Sequence, residues 1–111
     1  MHFPALSFAA ASAVERVEPG RYRAEADQAW FQGPGVYGGL TAAWLLRAMT
    51  DLVGDPARPP RELSGMFCAR IRAGEVRIAA RVVRAGLNVS FVTAELLQRE
   101  RVAATASAVF A

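Results

Sequence analysis

Gly38-Gly39-Leu40-Thr41-Ala42-Ala43-Trp44-Leu45-Leu46-Arg47-Ala48-Met49-Thr50-Asp51-Leu52-Val53 is the stretch that decides the fold. It holds no proline, is rich in good helix formers, and stops at Gly54 with Pro56 close behind, so a helix over about 39–53 is predicted. Only Thr41, Arg47, Thr50 and Asp51 interrupt its apolar surface, and the last three gather on one narrow face near the C-terminal end. A helix apolar on nearly every side has to be buried, and the rest of the chain must supply the wall around it.

Downstream, Pro56 to Pro60 is a polar, proline-rich connector, and beyond it the pattern takes the period of strands. In Glu75 to Arg84 the apolar set Val76, Ile78, Ala80 and Val82 points one way, while Glu75, Arg77 and Arg81 point the other. Leu63 to Arg72 precedes this strand across Ala73-Gly74; Asn88 to Gln98 follows Ala85-Gly86-Leu87, and Arg101 to Phe110 follows Arg99-Glu100. Connections this short join antiparallel neighbours, so a four-strand meander in chain order is predicted. Upstream, Glu18-Pro19-Gly20-Arg21 puts proline second and glycine third in a type II turn, which makes Val14 to Val17 and Arg21 to Ala26 a hairpin. The alanine-rich Ser7 to Ala13 fits a helical turn or an extended lead-in equally well. The architecture that satisfies both the buried helix and the strands is α+β: one strongly curved antiparallel sheet of five or six strands wrapped around one long central helix.

The 111 residues make one domain, 1–111. Hydrophobic residues are 53% and charged ones 21%, which excludes a disordered chain, and no uninterrupted apolar run is long enough to span a bilayer. The net charge is +3, and all 13 basic residues are arginine. They alternate with apolar residues as solvent-facing strand positions do, without interleaved aromatics, so nucleic acid is not an expected partner. A lone Cys68 excludes an internal disulfide and a multi-cysteine metal site; His2 is the only histidine, and no metal is expected. Met1 to Ala13 has no basic segment ahead of its apolar residues, so no secretory signal is read and a cytoplasmic location is expected.

Chemistry concentrates at the entry to the helix, Phe31-Gln32-Gly33-Pro34-Gly35-Val36-Tyr37-Gly38-Gly39. Adjacent glycines at a helix N-terminus expose N–H groups at the positive end of the dipole, where a carbonyl oxygen that becomes negative can be held. The same glycines would also let a strand pass close to the helix, and the doublet leaves both roles open. Asp51, the only acid on the helix, lies roughly 18 Å from Gly39 at about 1.5 Å per residue and is expected to pair with Arg47 one turn away. Trp30, Phe31, Trp44, Met66 and Phe67 could line an acyl channel, but such residues facing a helix are core by default and are expected to be so, as are Tyr22 and Cys68. Gln98 is read as a structural amide.

The ordered set Gly20-Arg21-Tyr22, Trp30, Tyr37-Gly38-Gly39-Leu40-Thr41-Ala42-Ala43-Trp44-Leu45-Leu46-Arg47-Ala48, Ile71-Arg72-Ala73-Gly74, Arg84-Ala85-Gly86 and Val102-Ala103-Ala104-Thr105-Ala106 resembles the thioesterase-like superfamily. The likeness is to the N-terminal hot dog of double hot dog acyl-CoA thioesterases, and it runs from about Ser7 onward. The resemblance implies a hot dog fold, hydrolysis of acyl-CoA thioesters without metal or other cofactor, and an acyl-CoA site between two hot dogs. The chain is then an N-terminal half, and its partner is a second hot dog or another copy of itself. Tyr37, Gly38, Gly39 and Leu40 are the expected substrate-binding residues, with Tyr37 standing where relatives commonly carry histidine or asparagine.

In two-domain relatives the resemblance assigns water activation to an aspartate, a hydroxyl residue and a glutamine of the second hot dog. The matching positions here are Arg47, Leu63 or Ser64, and Ala108, so no catalytic residue is expected in this half. The competing reading is a non-catalytic binding or assembly module. A dehydratase-like hot dog would need a histidine beside an acid, which His2 is badly placed to provide.

Overall fold

The computed structural model describes residues 7–111, so His2 lies outside the described part. The chain runs α1 (Phe8–Ala11), β1 (Glu15–Glu18), β2 (Arg21–Ala26), a 3-10 turn (Gln28–Trp30), β3 (Phe31–Gln32), β4 (Gly35–Val36), α2 (Gly38–Val53), β5 (Pro60–Phe67), β6 (Gly74–Ala85), β7 (Ser90–Gln98) and β8 (Arg101–Phe110). The two short strands β3 and β4 pair with each other. The other six form one sheet in the order β1-β2-β6-β7-β8-β5, with every pairing antiparallel.

Local chemistry sets the boundaries. Gly54 ends α2 in the left-handed conformation, φ 61°, and donates its N–H to the Thr50 carbonyl at 3.0 Å. Gly20, at φ 77°, is the third residue of the anticipated type II turn between β1 and β2. A Cβ there would come within 2.7 Å of the Ala80 carbonyl oxygen, so the hairpin needs glycine for space as well as for φ. The segment that the sequence left open is a single helical turn, α1, N-capped by the Ser7 hydroxyl.

Trp44, Leu40, Leu45, Ala48 and Met49 are buried with Thr41, a stripe at i, i+1, i+4, i+5, i+8 and i+9 that meets the inner face of the sheet. That face alternates along each strand: Tyr22, Ala24 and Ala26 on β2, Val76, Ile78 and Ala80 on β6, Val92, Ala94 and Leu96 on β7, and Ala104, Ala106 and Ala108 on β8. Bulky side chains on the helix share this core with alanines on the strands, so large and small interlock in one layer. The Trp44 indole N–H donates to the Ala11 carbonyl at 2.9 Å, which ties α1 to the middle of the helix.

Four expectations need correction. The strands after the connector are not a meander in chain order: β5 pairs with β8 at the far edge, and β6 pairs with β2. β5 begins earlier and stops at Phe67 instead of Arg72, leaving 68–73 free to cross the end of the sheet with Ile71 buried beneath it. Secondly, α2 is covered on one side only. Arg47, Thr50 and Asp51 are exposed and Ala42, Ala43 and Leu46 half-buried, because one sheet curves around only part of a helix.

Thirdly, Met66 and Phe67 are 66% and 63% exposed, and Cys68 is exposed too. They sit on or just after an edge strand that no element of this chain covers, so their apolar character does not bury them. Fourthly, Val82 is exposed although it shares the parity of Val76, Ile78 and Ala80, since β2 ends its pairing with β6 at Ala79.

Candidate functional site

The mouth of the central helix is assembled from three segments. Tyr37 is the N-cap residue: its N–H donates to the Trp30 carbonyl at 2.9 Å, and its own carbonyl accepts from Leu40 at 3.0 Å and Thr41 at 3.3 Å. The N–H groups of Gly38 and Gly39 meet no acceptor among the described residues. They are the first two donors of the helix and point along its positive end. Loop 68–73 closes the mouth from the side, with the Val36 N–H donating to the Ile71 carbonyl at 3.2 Å.

The four expected binding residues therefore separate by role. Gly38 and Gly39 offer free N–H groups, and Tyr37 is partly exposed beside them. Leu40 has its N–H engaged and its side chain wholly buried, so it belongs to the core. The glycines also serve the other role that the sequence left open. A Cβ on Gly38 would stand 3.0 Å from the Phe67 ring at the end of β5, and one on Gly39 would overlap the Tyr37 ring. Two aromatic rings thus flank the doublet, and the strand does pass close to the helix.

A small cleft of about 90 Å³ opens here, lined by Gly38, Thr41, Phe67, Ala69, Arg70 and Ala103 among others, with no carboxylate or imidazole in its wall. Among the described residues no group of three His, Cys, Asp or Glu is placed to hold a metal ion. The positions that correspond to the relatives' water-activating set lie elsewhere. Arg47 is exposed on α2, and Leu63 pairs directly with Ala108 across β5 and β8. Ser64 pairs with Ser107, so its hydroxyl is on the opposite face of the sheet from Ala108.

The other end of the helix is tied to the β1–β2 hairpin. The Tyr22 phenol donates to Asp51 Oδ2 at 2.7 Å, and Arg16 Nη1 stands 3.8 Å from the same oxygen. The sequence suggested Arg47 as the partner of Asp51; instead the carboxylate bonds to the β1–β2 hairpin, where a phenol donor and a guanidinium reach the same oxygen. Burial first, then the hydrogen bond to the Asp51 carboxylate, pushes the Tyr22 pKa well above its ordinary value. Glu75, on the outer face of the sheet, is held below the usual carboxylate range, chiefly by its hydrogen bond from Arg77.

Sequence reading missed one feature. Arg70, Arg72, Arg99 and Arg101, far apart in the chain, line a single cleft of about 280 Å³ beside the mouth. Gln98 holds its floor, accepting from the Arg72 N–H at 2.8 Å and donating to the Arg72 carbonyl at 2.7 Å, in keeping with its structural reading. Only the crossing of 68–73 over the end of the sheet brings these residues together.

A curved six-stranded antiparallel sheet around one helix is a hot dog fold, and solved structures agree. A candidate thioesterase and phenylacetic acid degradation-related protein from Ralstonia eutropha is 30% identical, with a TM-score of 0.80, and the match covers 88% of this chain and 82% of that one. A candidate thioesterase II from Thermobifida fusca is 27% identical with a TM-score of 0.86, covering 94% of this chain and 38% of the other. A conserved hot dog protein from Alicyclobacillus acidocaldarius is 28% identical with a TM-score of 0.82, covering 93% and 38%. The chain thus spans most of the first of these proteins and well under half of the other two. No curated protein matches the sequence. The family model for the acyl-CoA thioesterase N-terminal domain matches residues 26–111, and the chain belongs to that family.

Proposed function

We propose that this chain is one hot dog of an acyl-CoA thioester hydrolase and supplies the site that holds the thioester carbonyl. The observation that carries the proposal is the pair of unengaged N–H groups at Gly38 and Gly39. Attack of water on a thioester turns the carbonyl oxygen into an oxyanion, and two backbone donors at the positive end of a helix stabilise that charge as it forms. Tyr37 and Phe67 flank the doublet and would contact the acyl group or the arm that carries it.

The mouth lacks a group able to deprotonate water, since its wall has no carboxylate and no imidazole. The water-activating group then comes from a second hot dog of different sequence. Two surfaces suit such a partner: the unpaired edge of β5, exposed along its whole length, and the uncovered side of α2. The test is steady-state hydrolysis of a medium-chain acyl-CoA by the 111-residue chain alone and by the chain joined to the sequence encoded downstream of it. Turnover only in the joined form supports the proposal; no turnover in either form removes it.

A second reading, a non-catalytic assembly module, is favoured by the same lack of a base together with the open β5 edge. It expects sedimentation to show a dimer that hydrolyses no acyl-CoA, even when the downstream sequence is attached.

A further inference from the structure

We infer that the outer face of the sheet, over β6, β7, β8 and β5, is a docking surface for a second copy of this chain, packed sheet against sheet. The inference stands apart from the thioester reading, because α2 and its mouth lie on the inner side of the sheet and the unpaired β5 edge is left free.

Cross-strand register lays the outer face out in rows. One row runs Arg21, Ala79, Glu95, Thr105 and Met66 across β2, β6, β7, β8 and β5. The next runs Arg81, Thr93, Ser107 and Ser64 across β6, β7, β8 and β5, and a third runs Arg84, Phe91, Val109 and Glu62 in the same order. Each row begins with an arginine and is otherwise uncharged but for Glu95 and Glu62.

The same face over β2 and the start of β6 is built differently. It carries Arg23, Glu25, Glu75 and Arg77, with Glu75 paired to both arginines, as a solvated strand surface does. Over β7, β8 and β5 the exposed Phe91 and Met66 stand among threonine and serine, and two adjoining depressions of about 620 and 300 Å³ share Thr93 and Ser107. A charge-poor centre holding aromatic and methionine side chains, with arginine at its margin, is the composition of a protein–protein interface.

Charge identifies the occupant. Arg21, Arg81, Arg84, Glu62 and Glu95 have no ion pair among the described residues, whose pairs use Arg16, Arg23, Arg58 and Arg77. The free arginines lie on the β2 and β6 side of the patch, while Glu62 lies on the β5 side. A two-fold axis running along the strands, between β7 and β8, sets Arg84 opposite the partner's Glu62 and Phe91 opposite the partner's Val109. It also sets Met66 over the partner's small Ala79. Sheets packed face to face keep their strands within about 30° of each other, so this correspondence holds near the axis. The patch is thus complementary to itself in charge and in size, which a two-fold contact requires.

Sedimentation of the purified chain tests the inference. The unaltered chain should associate, and Thr93→Arg with Ser107→Arg, which sets guanidinium groups of both copies against each other, should halve its mass. Glu15→Arg with Glu25→Arg, on the β1–β2 side of the same face, should leave the mass unchanged. Arg84→Glu and Glu62→Arg should each weaken the association by about tenfold or more, and the two together should bring it back to within about threefold of the original. Melting curves confirm that each variant folds.

An unaltered mass in the Thr93 and Ser107 double variant would show that another surface, such as the β5 edge, holds the copies, and would overturn the inference. So would a monomeric unaltered chain at high micromolar concentration, or an Arg84 and Glu62 exchange that restores nothing. If a different protein or a lipid vesicle binds the monomer and is lost in the Thr93 and Ser107 variant, the face has another occupant and the inference falls.

Discussion

The two ends of the central helix are built on opposite principles. At the C-terminal end the side chains and the cap are tied into the fold: Gly54 closes the last turn, Asp51 takes the Tyr22 phenol, and Arg16 stands beside that carboxylate. At the N-terminal end the first two N–H groups are unengaged, the capping residue is a tyrosine with no side-chain cap bond, and unpaired arginines stand nearby. A serine or aspartate at the cap would stabilise the helix by about 1 kcal/mol, and the chain forgoes it. The polar groups at the first end find partners within the chain, and those left open at the second are the ones the proposed site would use.

That contrast can be broken most forcefully at Gly39. If the proposed function holds, Gly39→Val should lower turnover of the two-hot-dog form by about 10² to 10³, because the side chain keeps the carbonyl from the N–H groups, an effect on the scale of losing an oxyanion donor. The atoms nearest to the new Cβ belong to the partly exposed Tyr37 ring, which can swing aside, so circular dichroism and the melting temperature should change little. Full activity in a folded Gly39→Val protein would make the two ends equivalent.

At the opposite end the effects should fall on stability. Tyr22→Phe removes the hydrogen bond to Asp51 and should cost about 1 kcal/mol in denaturant unfolding, with turnover unchanged. It also has a pH signature. The folded-state pKa of Tyr22 is raised above its ordinary value of about 10, so the contribution is whole below about pH 10 and is lost as the pH rises through the folded-state value. The chain contains no lysine to titrate in the same range. Stability measured from pH 9 upward should fall in the unaltered protein and fall less in Tyr22→Phe; parallel curves would dismiss the phenol–carboxylate bond as a contributor.

A smaller effect is expected at the helix stop, where Gly54→Ala should cost about 1 kcal/mol because φ is 61°, although the added methyl finds ordinary contact distances. Smallest of all, Asp51→Asn should leave turnover within about threefold, since the residue is roughly 18 Å from Gly39. A dead but folded Asp51→Asn enzyme would put the chemistry at the wrong end.

Much of the fold was legible because period and punctuation are local. The buried stripe from Leu40 to Met49, the Pro19-Gly20 turn and the alternation Val76, Ile78, Ala80 all follow from neighbours in the chain. Strand order did not, because the connection through 68–73 is short enough to look like a hairpin and long enough to cross the end of the sheet. Met66 and Phe67 were misplaced for the same reason: an edge strand reads like an interior one until its neighbours are known. At the candidate site, the unengaged N–H groups of the glycine doublet were readable from helix-end chemistry. Arg70, Arg72, Arg99 and Arg101 were not, since their convergence depends on two connections meeting in space.

The positions of the two tryptophans have an optical consequence. Trp44 is sealed in the core with its indole bonded to Ala11, whereas Trp30 is half-buried, stacks edge-to-face on Phe8 at 5.5 Å, and gives its carbonyl to Tyr37 at the mouth. The chain thus carries two intrinsic fluorophores with separate duties. Unfolding should shift the emission of both, while a molecule bound at the proposed site should perturb Trp30 more than the sealed Trp44. With Trp30→Phe as the silent counterpart, occupancy becomes readable in an unlabelled protein by titration alone.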